Sequence, residues 1–124
     1  RISDVLKFVQ SDLGQRMKTA FDKKQLYREQ PFVIAQKMNR LDEEWKGEET
    51  VLVQGIIDAF FIEQDEIILV DYKTDRVYRG GEQRLIDLYR TQLEDYKAAL
   101  ERMLRKKVKE TYIYSFTLRK TIRL

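Results

Sequence analysis

The sequence predicts an α/β domain built on a mixed β-sheet flanked by helices, and three observations predict it. Two apolar runs, 51–62 and 67–70, are separated by the polar patch Glu63-Gln64-Asp65-Glu66, the pattern of a β-hairpin. The stretch 82–107 repeats apolar residues at helical spacing. The alternating, β-rich TYIYSFTL, 111–118, follows it. A helix between a hairpin and a later strand is a crossover, so the sheet contains both parallel and antiparallel pairs.

The elements follow in order. Ile2, Val5, Leu6 and Val9 fall on one helical face, with Ser3 as the expected N-cap. Ser11 is placed to cap a second helix that carries Leu13, Met17, Ala20 and Phe21. Both stripes are read as core-facing. Pro31 ends any helix, and 32–38 reads as a strand whose near-continuous apolar character suits burial on both faces. The charged connector 39–50 holds Trp45, expected as a lid over the core edge because acids surround it. The loop 75–83 carries Arg76, Arg79 and Gly80-Gly81. It is either a polar hinge or, as its position favours, a phosphate-contacting segment. In the helix 82–107 the stripe is Leu85, Leu88, Tyr89, Leu93, Tyr96, Ala99, Leu100 and Met103, with Gln92 inside it. A buried amide without partners costs about 1–3 kcal/mol, so Gln92 either bonds backbone or lines a wet site. Basic residues at the helix end complement its dipole, and Arg119, Lys120 and Arg123 form a basic tail.

Composition narrows the chemistry. The 124 residues suit one domain, and 24 basic against 21 acidic side chains leave a net charge of +3. That balance permits nucleic-acid binding without requiring it. With no cysteine and no histidine, thiolate metal sites, Ser-His-Asp and Cys-His chemistries are excluded within the chain. No P-loop is present. The apolar runs are short of membrane-spanning length, and RISDVLKFVQ has neither an initiating Met nor a signal-peptide core. We therefore expect a cytoplasmic piece of a longer chain with no membrane partner.

The hairpin concentrates charge where an apolar surface is expected. A turn centred between Gln64 and Asp65 sets Asp58 opposite Asp71, and opposed like charges destabilise a sheet. Lys73 lies two residues on, hence on the face of Asp71. Two acids and an amine converge, and they must share a cation or raise one pKa. Removing either acid is expected to relieve the repulsion.

Gly55-Ile56-Ile57-Asp58, then Asp71-Tyr72-Lys73-Thr74-Asp75 and Gln92-Leu93-Glu94-Asp95-Tyr96, resemble the motifs of the PD-(D/E)XK nucleases. The RecB-type branch is the nearest, in the form carried at the C-terminus of the AddA family of bacterial helicase–nucleases. The resemblance spans 29–118. It implies a restriction-endonuclease-like core in which 1–124 is a single nuclease domain. Asp58, Asp71 and the carbonyl of Tyr72 would hold Mg²⁺, or Mn²⁺. Lys73 would orient the attacking water, and Gln92 and Tyr96 would support it. Thr74, Arg76 and Arg79 would meet DNA. Glu29, just before Pro31-Phe32, is either a solvated acid or a further ligand near the metal. The implied parent is an exonuclease-type enzyme of double-strand-break repair with an AddB-like second subunit, using ATP only in its helicase part. The family also places a His on a helix upstream of the first strand. This chain has none, so the 124 residues alone are expected to fold yet bind Mg²⁺ weakly and cut DNA poorly or not at all. The competing reading is a non-catalytic nuclease-like module that binds DNA or a protein partner.

Overall fold

The computed structural model describes residues 2–124. Along the chain run α1 (Ile2–Gln10), α2 (Asp12–Asp22), β1 (Leu26–Lys37), the single turn α3 (Met38–Leu41), β2 (Thr50–Glu63), β3 (Glu66–Lys73), α4 (Glu82–Leu104), β4 (Val108–Ser115) and β5 (Lys120–Arg123). The strands form one five-stranded sheet in the order β1-β2-β3-β4-β5. β3 and β4 pair in parallel and the other pairs are antiparallel. The expected mixed α/β sheet flanked by helices is therefore the observed one, consistent with a restriction-endonuclease-like fold.

The β2–β3 register runs from Glu63↔Glu66 to Ala59↔Val70, as the centred turn requires. Gln64 and Asp65 both take positive φ, 50° and 66°, which gives the two-residue hairpin its matching twist. Arg16 offsets the opposed glutamates by binding Glu63 at 2.7 Å and Glu110 at 2.9 Å. It thereby pins α2 to the far ends of β2 and β4.

Both sheet faces are covered around β3, which explains its unbroken apolar run. Ile67, Leu69, Phe60, Leu85, Leu93 and Leu100 pack between the sheet and α4. Ala59, Phe61, Ile68 and Val70 pack against Leu13, Met17 and Ala20 of α2. Ser11 caps α2 as expected, accepting from Gly14 N–H at 3.0 Å. Gly14 also has no room for a side chain: a Cβ there would lie 2.1 Å from the Phe8 carbonyl oxygen.

Several expectations are corrected. Ser3 lies inside the first turn of α1, not at its cap. The α1 stripe is not core-facing: Ile2, Val5, Leu6 and Val9 are all exposed. α1 packs through Phe8 instead, whose ring meets Tyr72, Tyr114 and Phe116. Phe21, Leu88 and Met103 are exposed as well, so the stripes of α2 and α4 are narrower than their periodicity suggests. β1 begins six residues before the expected 32, at Leu26, and passes through Pro31. Pro31 is tolerated because β1 is an edge strand. Trp45 is no lid; its ring is 44% exposed and its N–H donates to Glu49 at 2.5 Å. The helix stops at Leu104 because Arg105 adopts a left-handed cap conformation. Lys120 and Arg123 of the basic tail belong to β5, which pairs to β4. Among the described residues no helix is long and apolar enough to cross a membrane.

Candidate active site at the β2–β3–α4 junction

Period-2 geometry carries β3 into the site. Ile67 and Leu69 face α4, so Asp71 and Lys73 face it too, and Tyr72 turns toward Phe8 and Met17 on the other side. From α4, Tyr89, Gln92 and Tyr96 point back at the same spot. They sit at i, i+3 and i+7, one helical face.

Asp71 is 2% exposed, and its Oδ2 lies 2.9 Å from Lys73 Nζ. That pair falls outside hydrogen-bond geometry, so Oδ2 is a buried oxygen with no hydrogen-bond donor. Burial pushes the Asp71 carboxyl up to about 6; Lys73 opposes the shift and the nearby Asp58 adds to it. Lys73 Nζ also donates to Gln92 Oε1 at 3.1 Å and stands 3.8 Å from the centre of the Tyr89 ring. Gln92 is thus half-buried and satisfied by a side-chain partner, Lys73. Tyr96 packs edge-on against Phe32 at 5.0 Å. Its hydroxyl is raised above the usual tyrosine range by burial, then by the charges of Asp71 and Asp58.

Asp58 is held in an unusual way. Its Oδ2 accepts the Tyr72 backbone N–H at 2.9 Å, so a side chain takes over where the β2–β3 ladder stops at Ala59↔Val70. The β1–β2 register is otherwise unbroken from Leu26↔Phe61 to Lys37↔Thr50, and the one pair missing from it is Glu29 with Asp58. Alternation slips at that point. Ala59 packs toward α2 and Phe60 toward α4. Ile57, which should side with Ala59, also packs toward α4. On β1, Tyr27 stacks on Phe60 while Phe32 shares its face. Between them Glu29 takes φ 53°, the one positive φ inside a described strand. A left-handed non-glycine residue costs about 1–2 kcal/mol, and such strain gathers at functional sites.

The structure therefore brings Asp58, Asp71, Lys73, Gln92 and Tyr96 together. It sets Glu29 opposite Asp58, but exposed. Among the described residues no group of three or more His, Cys, Asp and Glu stands close enough to hold a metal ion. Thr74 ends the site beside Phe116 and Thr117. Arg76 and Arg79 line a concave patch with Arg84 and Tyr78 at the start of α4, and Tyr78 is 93% exposed.

Three features were missed from sequence. Tyr89 was counted only as stripe, although its hydroxyl donates to Asp75 at 2.7 Å. That bond, then burial, pushes the phenol up to about 12. Position was the available signal: Tyr89 precedes Gln92 by one helical turn, and Asp75 follows Lys73 by two residues. Third, Gln36 and Asp95 are buried together at 2.7 Å, with Arg40 3.0 Å from Asp95. This cluster locks α4 to β1 and had no sequence signature.

No family model matches the chain. It is 46% identical over 127 residues to AddA, an ATP-dependent helicase/nuclease subunit, of Clostridium perfringens strain 13, covering 97% of this chain and 10% of that protein. The proteins of the same name from Lachnoclostridium phytofermentans and Syntrophomonas wolfei are 40% and 38% identical, over 95% and 99% of this chain and 11% and 10% of theirs. Nearly the whole chain is thus similar to a segment of these ATP-dependent helicase/nuclease proteins, and it spans about a tenth of their length.

Proposed function

We propose that this chain is the C-terminal PD-(D/E)XK nuclease domain of a helicase–nuclease, hydrolysing DNA phosphodiesters with Mg²⁺, or Mn²⁺, in an exonuclease-type reaction of double-strand-break repair. The observation that carries this reading is Asp58 beside the buried Asp71, which in turn meets Lys73. The relatives' names support a nuclease context. The partners this reading assigns are DNA and an AddB-like second subunit, and its compartment is the cytoplasm.

The donor set suits a hard cation. Asp71 Oδ2 is buried outside hydrogen-bond geometry, with the Lys73 ammonium 2.9 Å away, and oxygen ligands with several retained waters are what Mg²⁺ takes. Asp58 and Asp71 would hold it with the Tyr72 carbonyl. When bound, the ion would polarise the phosphate and acidify a coordinated water. The chain's own groups do the rest. The Tyr72 N–H fixes the Asp58 carboxylate. Lys73, held by Gln92, places positive charge where the phosphate oxygens gain negative charge. Tyr96 packs edge-on against Phe32, and Asp71 near it is buried, where a low dielectric strengthens those interactions. Arg76 and Arg79, with no acid partner among the described residues, would neutralise phosphates next to the scissile one.

In the full-length enzyme, Lys73→Ala should keep Mg²⁺ binding by calorimetry while abolishing cleavage of a labelled single-stranded oligonucleotide. Lys73→Arg should not restore it, because a planar fork cannot replace a compact ammonium. Cleavage near wild type by either variant would remove Lys73 from the mechanism. A chain that binds DNA but shows no metal-dependent difference between wild type and Asp71→Asn would instead be a non-catalytic binding module.

A further inference from the structure

Lys73 has more around it than the acid and amide that the proposed reaction requires. Its ammonium stands 3.8 Å from the centre of the Tyr89 ring, within the range of a cation–π contact. Tyr89 is itself tied down, donating its hydroxyl to Asp75 at 2.7 Å. Asp75 lies two residues beyond Lys73, on the first residues of the loop that leaves β3. Strand end, loop root and helix face therefore close a small ring: Lys73 to Tyr89, Tyr89 to Asp75, and Asp75 back along the chain to Lys73.

The ring resists a specific failure. A lysine side chain is long, and its ammonium has many rotamers. Asp71 and Gln92, at 2.9 and 3.1 Å, restrain it from two sides. Without a third support it could swing toward the solvent-facing loop. The aromatic face supplies that support without adding a competing charge. Tyr89 is half-buried and packs against the core. The bond to Asp75 adds a polar tether to that packing.

We propose that Tyr89, braced by Asp75, is a positioning residue that holds the Lys73 ammonium against Asp71 for phosphodiester hydrolysis. This rests on the function proposed for Lys73. It does not make Tyr89 a catalytic residue, since its ring acts through the lysine.

Nuclear magnetic resonance of the 124-residue chain reads the geometry directly. With Lys73 assigned through Lys73→Arg, its ε-methylene protons should be shifted upfield by the ring current. Tyr89→Phe keeps the ring and should keep the shift. Tyr89→Leu should return it to the ordinary lysine position. Should Tyr89→Leu fail to fold, Asp75→Ala leaves the ring and cuts only its brace, and should reduce the shift. In Mg²⁺-dependent cleavage by the full-length enzyme at saturating oligonucleotide, Tyr89→Leu should lower kcat about tenfold with KM unchanged, and Tyr89→Phe should recover most of that loss. A Lys73 shift indifferent to both Tyr89→Leu and Asp75→Ala would overturn the proposal, as would a loss confined to KM. The two readings fail separately. If Lys73→Ala cleaves normally in the full-length enzyme, or the full-length wild type does not cleave, the proposed function falls and the resonance shift still decides the positioning role. If Lys73→Ala is dead and Tyr89→Leu is unimpaired, only the positioning role falls.

Discussion

At the scale of single residues, the two acids of the hairpin are not equivalent, although the sequence alone makes them look so. Asp58 accepts a backbone N–H, and Asp71 is buried with one oxygen lacking a donor. The expectation that removing either acid relieves repulsion therefore divides. Asp58→Ala should lower stability in chelator by about 1 kcal/mol, since it orphans the Tyr72 N–H. Asp71→Asn should do the opposite at neutral pH. The Asp71 carboxyl is raised from 3.8 to about 6 in the folded chain, so the fold holds that proton more tightly than the unfolded chain does. Its stabilising share is complete below pH 3.8 and is lost as pH rises through about 6. Asp71→Asn should thus gain on the order of 2–3 kcal/mol at pH 7 and nothing below pH 4. Chemical denaturation in chelator at both pH values measures it, and an equal difference at both would rule out burial of the charge as the cause.

The intermediate scale is that of strands and helices, and there the sequence was legible in proportion to how local each signal was. The β2–β3 register could be read because two apolar runs flank one polar patch and the turn sits between them. The boundaries of α4 were legible at its start, where Gly80-Gly81 precede it, and blurred at its end, where basic residues run on past Leu104. β5 was missed because Lys-Thr-Ile-Arg carries a single buried apolar residue, Ile122. The stripe of α1 was misread for another reason: periodicity shows that a face is apolar, not that these residues cover it. The kink shared by β1 and β2 was also invisible, since nothing in Arg28-Glu29-Gln30 announces a left-handed residue. That kink can be tested. Glu29→Gly should raise stability by about 1 kcal/mol, the relieved strain less the added freedom of the unfolded chain, and melting in chelator would show a rise of a few degrees. A fall would mean that the Glu29 side chain stabilises the strand by more than its backbone strains it.

Across the whole molecule, the sheet is sealed by α2 on one face and by α4 on the other, and the candidate site opens where that seal ends. Its residues were legible from sequence because motif spacing maps directly onto strand and helix periods: Asp71 and Lys73 two apart on β3, Gln92 and Tyr96 four apart on α4. Tyr89, Asp75 and the Gln36–Asp95 cluster were not, because each depends on which elements pack together. The site's central property is that the Asp58 and Asp71 carboxylates lie close together, with the Lys73 ammonium 2.9 Å from Asp71 Oδ2 as the cation beside them. A divalent ion should therefore stabilise the folded chain through Asp71. The direct measurement is thermal melting of wild type and Asp71→Asn in chelator and in 10 mM Mg²⁺, about ten times a millimolar Kd. Binding at that excess contributes roughly 1.4 kcal/mol, a rise of a few degrees. Wild type should show that rise, and Asp71→Asn should melt higher than wild type in chelator and gain nothing from Mg²⁺. An equal Mg²⁺ gain in both proteins, or an Asp71→Asn that melts lower than wild type in chelator, would contradict a metal site built on Asp71.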